Sequence, residues 1–311
     1  MAVRAWIIEE SSIRLWGLTS RERLQRVLAK YGVTNISDEE HGPVSVDDTI
    51  LLLRGDFLYD QRILKNLVDS VGTVLEAAGA QGRRPVAAHV KAELADPLQA
   101  ILKHGTLTEY PEGLTRETPE SLVSAYLMEL RKFDTPYLLP IHTENRKKLE
   151  KRLFDGSYKG VTDLVTKWIW PTPARWAVGF CTRHNIVPNQ VTTLSLVLSI
   201  LAAFLFYAGF YGSGLVLAWF MTFLDTVDGK LARVTINYSP WGNIYDHAID
   251  LVFPPIWYVV WGLSLQSVPI LSTQFSLWVV LVGYIAGRLV EVVFKQGLES
   301  SGIFCWQPID S

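Results

Sequence analysis

From Val191 to Tyr211 the chain carries no charged side chain, and Leu, Ala, Val, Ile and Phe dominate. A run of that length can cross a bilayer only as a helix, because hydrocarbon offers the backbone amides no other partner. Three further apolar runs follow, Gly214 to Leu224, Ala248 to Leu265 and Phe275 to Phe294, joined by short turns. The expectation for residues 189–311 is an all-α, multi-pass transmembrane domain with four visible spans. The turn Tyr211-Gly212-Ser213-Gly214 and the segment Gln266 to Gln274 are uncharged. Lys230 and Arg233 follow the second span and Lys295 follows the fourth, so the positive-inside tendency puts those ends and the N-terminus in the cytoplasm.

The preceding residues are of another kind. Charged residues crowd the first 185 of 311 positions, while the net charge is only −2, so no global basic field argues for nucleic acid as a partner. The two cysteines, Cys181 and Cys305, are too few for a disulfide framework and read as free thiols. Arg4, Glu9, Glu10 and Arg14 interrupt any apolar signal-peptide core near the start. Residues 3–8 read as a strand and Arg21 to Tyr31 as an amphipathic helix closed by Gly32. Thr49 to Leu53 reads as a buried parallel strand, Gln61 to Val71 as a helix ended by Gly72, and Pro85 to Val90 as a strand. Thr118-Pro119-Glu120 signals a helix start, with the helix continuing to about Lys132, and Tyr137 to Ile141 reads as a last strand. Alternating strands and helices predict a soluble three-layer α/β domain over residues 1–145.

A connector over residues 146–188 joins the halves. It holds Arg146, Lys147, Lys148, Lys151, Arg152, Lys159, Lys167, Arg175 and Arg183, interleaved with Trp168, Trp170 and Trp176. Basic residues with tryptophans suit a helix on anionic headgroups better than a nucleic-acid surface, because membrane spans follow at once.

The chemistry gathers at the edges of the spans. Asp225 and Asp228 stand three apart, and Asp246 and Asp250 four apart, so each pair projects from one helix face. Carboxylates beside long apolar runs are costly to bury and repel one another. A divalent metal held by oxygens would relieve that repulsion; solvated carboxylates at helix ends are the other reading.

Asp225, Asp228, Gly229, Ala232, Arg233, Gly242, Asp246 and Asp250 fill every fixed position and spacing of the signature of the CDP-alcohol phosphotransferases, and the region from about Lys151 onward resembles that family. The resemblance implies displacement at the β-phosphorus of a CDP-linked alcohol by an acceptor alcohol, with release of CMP and Mg²⁺ or Mn²⁺ as cofactor. By position it makes Asp225, Asp228, Asp246 and Asp250 metal ligands, Asp250 also the general base, and Gly229 and Ala232 a close approach for the nucleotide. It leaves Gly242 for helix packing. Pro188-Asn189-Gln190-Val191-Thr192 looks like the family's approach to the first span, with Asn189 and Thr192 either lining the nucleotide site or serving the helix. Arg288, which is i,i+3 to Glu291, is a candidate for the acceptor phosphate; Arg233 binds phosphate or locks its helix end. His247 reads as an interfacial residue and Lys230 as a snorkelling cation. The family usually has six spans, so the chain is either naturally short or cut after Ser311. A homodimer is implied as well.

More weakly, the first half resembles nucleotidyltransferases, through Trp16-Gly17-Leu18-Thr19 with Arg21 to Leu28, and through Leu51 to Asp56 as a strand ending in a metal-binding Asp, although Asp56 reads more simply as a turn residue at a strand end. The loop Glu9-Glu10-Ser11-Ser12-Ile13-Arg14 departs from that pattern, with two acids and no glycine where a triphosphate would be cradled. A degenerate, non-catalytic domain is expected. The fusion resembles enzymes that join CDP-inositol to inositol phosphate; phosphatidyl transfer from CDP-diacylglycerol to inositol phosphate or glycerol phosphate is the near alternative. A non-catalytic membrane scaffold and a working cytidylyltransferase are the others.

Overall fold

The structure is a computed structural model and describes residues 3–37, 48–79, 82–104, 110–127, 132–158, 164–265 and 273–301. Its elements in chain order are β1 (Val3–Ile8), α1 (Ser20–Lys30), β2 (Asn35–Ser37), β3 (Thr49–Arg54), β4 (Phe57–Tyr59), α2 (Gln61–Asp69), β5 (Thr73–Gly79) and β6 (Gly82–Lys91). Then come α3 (Ala95–His104), β7 (Thr115–Glu117), α4 (Pro119–Leu122), β8 (Tyr126–Leu127), β9 (Lys132–Phe133), β10 (Leu138–Pro140), α5 (Arg146–Gly156) and α6 (Pro171–Arg183). Four long helices follow: α7 (Pro188–Tyr207), α8 (Tyr211–Thr235), α9 (Pro240–Ser264) and α10 (Thr273–Ser301). Met1–Pro188 with Thr226–Tyr238 form one compact unit, and Asn189–Asp225 with Ser239–Ser311 form the other.

In the first unit a mixed six-stranded sheet runs in the order β2-β1-β3-β6-β5-β7. β1 is parallel to β2 and β3, whereas β6 is antiparallel to both β3 and β5. The two-residue period of the strands sorts their side chains into two cores. Ala5, Ile7, Leu51 and Leu53 meet Leu24, Val27 and Leu28 of α1 and Ile63, Leu64 and Leu67 of α2. Trp6, Ile8, Ile50 and Leu52 meet Ala95, Leu98 and Leu102 of α3 on the opposite face. Helices on both faces of one sheet make three layers. Thr19 caps α1 in a capping box with Glu22, Asp60 caps α2, and Gly72, at φ +86°, follows the end of α2.

One sequence expectation fails here. Thr118 does cap a helix with Pro119 in its first turn, but α4 ends at Leu122, and Tyr126–Leu127 pairs antiparallel with Lys132–Phe133. The cap and proline fix only a start; β-branched Val123 is already extended, and Tyr126 packs against Phe133 with tilted rings, centroids 5.1 Å apart. Residues 128–131 of the expected helix lie outside the described residues.

In the second unit α7, α8 and α9 pack through small residues and aromatic rings. Ala202, Phe206 and Ala218 form a buried cluster with Tyr211, Trp257 and Trp261 against it. Phe206 stacks on Trp261 at 5.0 Å, and Trp257 Nε1 donates to the Ser199 carbonyl at 3.0 Å. A Cβ on Gly214 would sit 2.7 Å from the Phe206 ring, so only glycine permits this approach. Of these helices, α7 by itself is long and apolar enough to be a clear membrane span, among the described residues. Segment Gln266 to Gln274 falls largely outside the described residues, as do Cys305 and the Glu291 and Lys295 side chains.

Candidate functional site

The acidic motif is carried by α8 and α9. α8 begins apolar, so Asp225 and Asp228 come on it only after about four turns. α9 is started by Ser239, whose hydroxyl accepts from Gly242 N at 2.8 Å, with Pro240 in the first helical position. That start puts Asp246 two turns into α9, with Asp250 one turn beyond. Asp225, Asp228 and Asp246 each offer a carboxylate oxygen, and these oxygens lie within 4.8 Å of one another. Asp228 is buried, at 3% exposure, and the other two are half-buried. Asp250 lies outside this triad but faces Asp225, with His247 and Arg288 also in its electrostatic surroundings.

Three hard oxygen donors, converging at that spacing and shielded from bulk water, fit a small divalent cation such as Mg²⁺ or Mn²⁺. Three carboxylates brought this close repel strongly at reduced dielectric, and a dication is the simplest compensation.

The other motif residues take plainer positions. A Cβ on Gly242 would come within 2.5 Å of Asn189 Oδ1, so Gly242 exists to admit the Asn189 side chain at the start of α7. Asn189 therefore packs on α9, and its backbone carbonyl accepts from Thr193 Oγ1 at 2.8 Å. Thr192 is buried, at 3% exposure. The Arg233 guanidinium turns back along its own helix, donates to the Gly229 carbonyl at 3.2 Å, and would meet a Cβ on Gly229 at 3.3 Å. Arg233 also borders a cavity of about 560 Å³ that Lys30, Lys65, Tyr31 and Tyr238 line. Ala232 is half-buried on the last turn of α8. Arg288 is exposed, with Nε 3.3 Å from the Tyr284 hydroxyl, which itself donates to the Leu251 carbonyl at 2.9 Å. His247 Nδ1 lies 2.9 Å from the Asn243 carbonyl.

One residue, Lys230, differs from the sequence reading. Lys230 does not snorkel: it is 4% exposed, with Nζ 3.1 Å above the Tyr158 ring and 3.5 Å from the Ser157 carbonyl. The aromatic face and carbonyl supply the compensation that bulk water would otherwise give. Asp56 is held bidentately by Arg54 at 2.9 and 2.8 Å, the geometry of an ion pair at a strand end.

A carboxylate triad on two apolar-flanked helices defines the class first: a helical domain with a group of acids that could hold a divalent metal. Comparison with known proteins then gives a family match for part of the chain. Residues 185–301 match the family model described as CDP-alcohol phosphatidyltransferase. The archaetidylinositol phosphate synthase of Pyrococcus horikoshii is 39% identical over 67 residues, which are 21% of this chain. The chain spans about a third of that relative's length, 35%.

Proposed function

We propose that the chain is an integral membrane transferase that moves a substituted phosphate group from a CDP-alcohol to an acceptor alcohol and releases CMP. The observation that carries this reading is the convergence of Asp225, Asp228 and Asp246 within 4.8 Å, inside a stretch that matches the family. A divalent cation held by these carboxylates would neutralise the diphosphate and polarise the phosphorus under attack. Asp250, beside Asp225, takes the proton of the acceptor hydroxyl; the hydroxyl oxygen bonds to the β-phosphorus as the bond to CMP breaks. Asp250 also stands close enough to Asp225 to join the ligand set. Gly229 and Ala232 present little side chain to a nucleotide, Asn189 and Thr192 flank the start of α7, and Arg288 offers a cation to an acceptor phosphate.

For the donor, a relative whose name specifies a lipid inositol phosphate product favours transfer of a phosphatidyl-type group from a CDP-linked lipid to a phosphorylated polyol. The attached α/β domain favours a second reading, CDP-inositol with inositol phosphate. That domain itself is proposed to be a silent relative of nucleotidyltransferases: Asp56 is engaged by Arg54, and Glu10 in the loop after β1 pairs with Arg21 at 3.3 Å. The four helices α7–α10 are proposed as spans. Large apolar side chains face outward on all of them, including Phe204, Trp219, Ile256 and Trp278. Exposed Leu164, Trp168 and Trp176 in the connector suit a headgroup layer, and the basic residues beside them favour the cytoplasmic side for the α/β domain and the carboxylates. A homodimer, as the family implies, would bury part of the outward apolar surface.

The test is a donor-and-acceptor screen with purified full chain and Mg²⁺ or Mn²⁺, read by CMP release. Lipid-soluble product from a CDP-lipid is expected. A water-soluble product from CDP-inositol would establish the second reading, and no CMP from any donor would overturn both.

A further inference from the structure

α8, which carries Asp225 and Asp228, ends in an unusual way. The last four carbonyls of a helix lack intrahelical partners. Here Asn237 N donates to the Ala232 carbonyl at 2.9 Å and Ile236 N to the Arg233 carbonyl at 3.4 Å, which is the Schellman pattern. That pattern needs a left-handed residue after the helix, normally glycine. The residue is Ile236, at φ +51°, a conformation that a β-branched side chain adopts only under strain. What holds it there is burial: Ile236 is 6% exposed and belongs to the core formed by Leu24, Val27, Leu64 and Tyr59 of the α/β domain.

The two remaining carbonyls are taken by that same domain. Arg23 Nη2 donates to the Val234 carbonyl at 3.0 Å and to the Leu15 carbonyl at 2.9 Å. Arg26 Nη1 donates to the Thr235 carbonyl at 2.7 Å. The two arginines are i,i+3 on α1, so one face of that helix places two cations at the negative end of α8. Arg23 is fully buried there, and burial brings its guanidinium down to about 10. Thus every orphan carbonyl of α8 has a partner, and two of the four partners are side chains some 210 residues away in sequence, with separations of 211 and 209.

We propose that the α/β domain is a positioning part of the metal site: Arg23, Arg26 and Ile236 fix the end of α8, and so the placement of Asp228 about 10 Å back along it, at 1.5 Å per residue. This rests on the metal-dependent reading above. The domain's role is then served without any nucleotide chemistry of its own, and loss of the anchor is felt as weaker metal binding rather than as loss of fold.

The test is Mn²⁺ titration of the detergent-solubilised full chain, read by the free-ion electron paramagnetic resonance signal. Arg26 is exposed, so Arg26→Ala keeps the fold, and Ile236→Gly relieves the backbone strain while removing the anchor. Each is expected to weaken Mn²⁺ affinity about three- to thirtyfold, the range for coupling through a packed element, while Arg26→Lys stays within about twofold of the unsubstituted chain. Binding that Arg26→Ala and Ile236→Gly leave unchanged would overturn this inference alone. An unsubstituted chain that binds no Mn²⁺ would overturn the transferase reading and the inference together.

Discussion

Asp228 and Asp250 have different work at one site, and substitution separates them. Asp228→Asn removes a buried ligand, so both Mn²⁺ binding and CMP release are expected to vanish. Asp250→Asn removes the proton acceptor beside Asp225; kcat should fall about 10²- to 10⁴-fold, the usual contribution of a positioned base, while Mn²⁺ affinity stays near that of the unsubstituted chain. Equal loss of affinity in both variants would make Asp250 chiefly a ligand. His89 gives a residue-scale test of the α/β domain. It is wholly buried, with Nδ1 2.9 Å from the Leu67 carbonyl and Nε2 3.0 Å from Thr49 Oγ1, and burial holds its pKa below 6.5. Unfolded chain therefore takes up a proton that the folded domain refuses, so His89's contribution is complete above about pH 6.5 and is lost as pH falls through the lowered value. Hydrogen-exchange protection of β3 and β6 should decline from pH 7 to 5, and His89→Gln should flatten that decline; an unchanged slope would clear His89 of the role.

Between elements, glycine marks the tightest contact. Gly242→Ala puts a methyl 2.5 Å from Asn189 Oδ1 and 2.8 Å from Ser239 Oγ, pressing both the start of α7 and the cap of α9. A cost of about 1–3 kcal/mol is expected, the usual penalty for overpacking, and thermal unfolding of the solubilised chain checks it. The elements themselves were legible where one local signal sufficed: the amphipathic helix Arg21 to Tyr31 closed by Gly32, the apolar run Thr49 to Leu53, and the Thr118-Pro119 start of α4. They were not legible where distant residues decide. α4 stops at Leu122 because Tyr126 finds Phe133, and Lys230 is buried because Tyr158 lies under it. Helical spacing alone put each pair of carboxylates on one face; that Asp246 joins Asp225 and Asp228 was implied only by the family resemblance. The close of α8 was not, since no glycine follows Thr235 and its partners come from α1.

Across the molecule, an α/β unit and a helical unit share one helix: residues Thr226–Tyr238 of α8 and its exit group with the sheet, and Asn189–Asp225 with the other long helices. Sequence composition divides the chain near Pro188, and that division misses the sharing, because composition cannot report that Ile236 enters a core whose other residues lie between Val3 and Leu138. The sharing gives the α/β domain, proposed above to be silent, a structural role of its own. The central claim is that Asp225, Asp228 and Asp246 hold a divalent cation, and an anomalous-scattering map from crystals grown with Mn²⁺ tests it most directly. The account predicts a peak within bonding distance of oxygens from all three carboxylates. Well-ordered carboxylates with no peak among them, at Mn²⁺ concentrations that support CMP release, would contradict it.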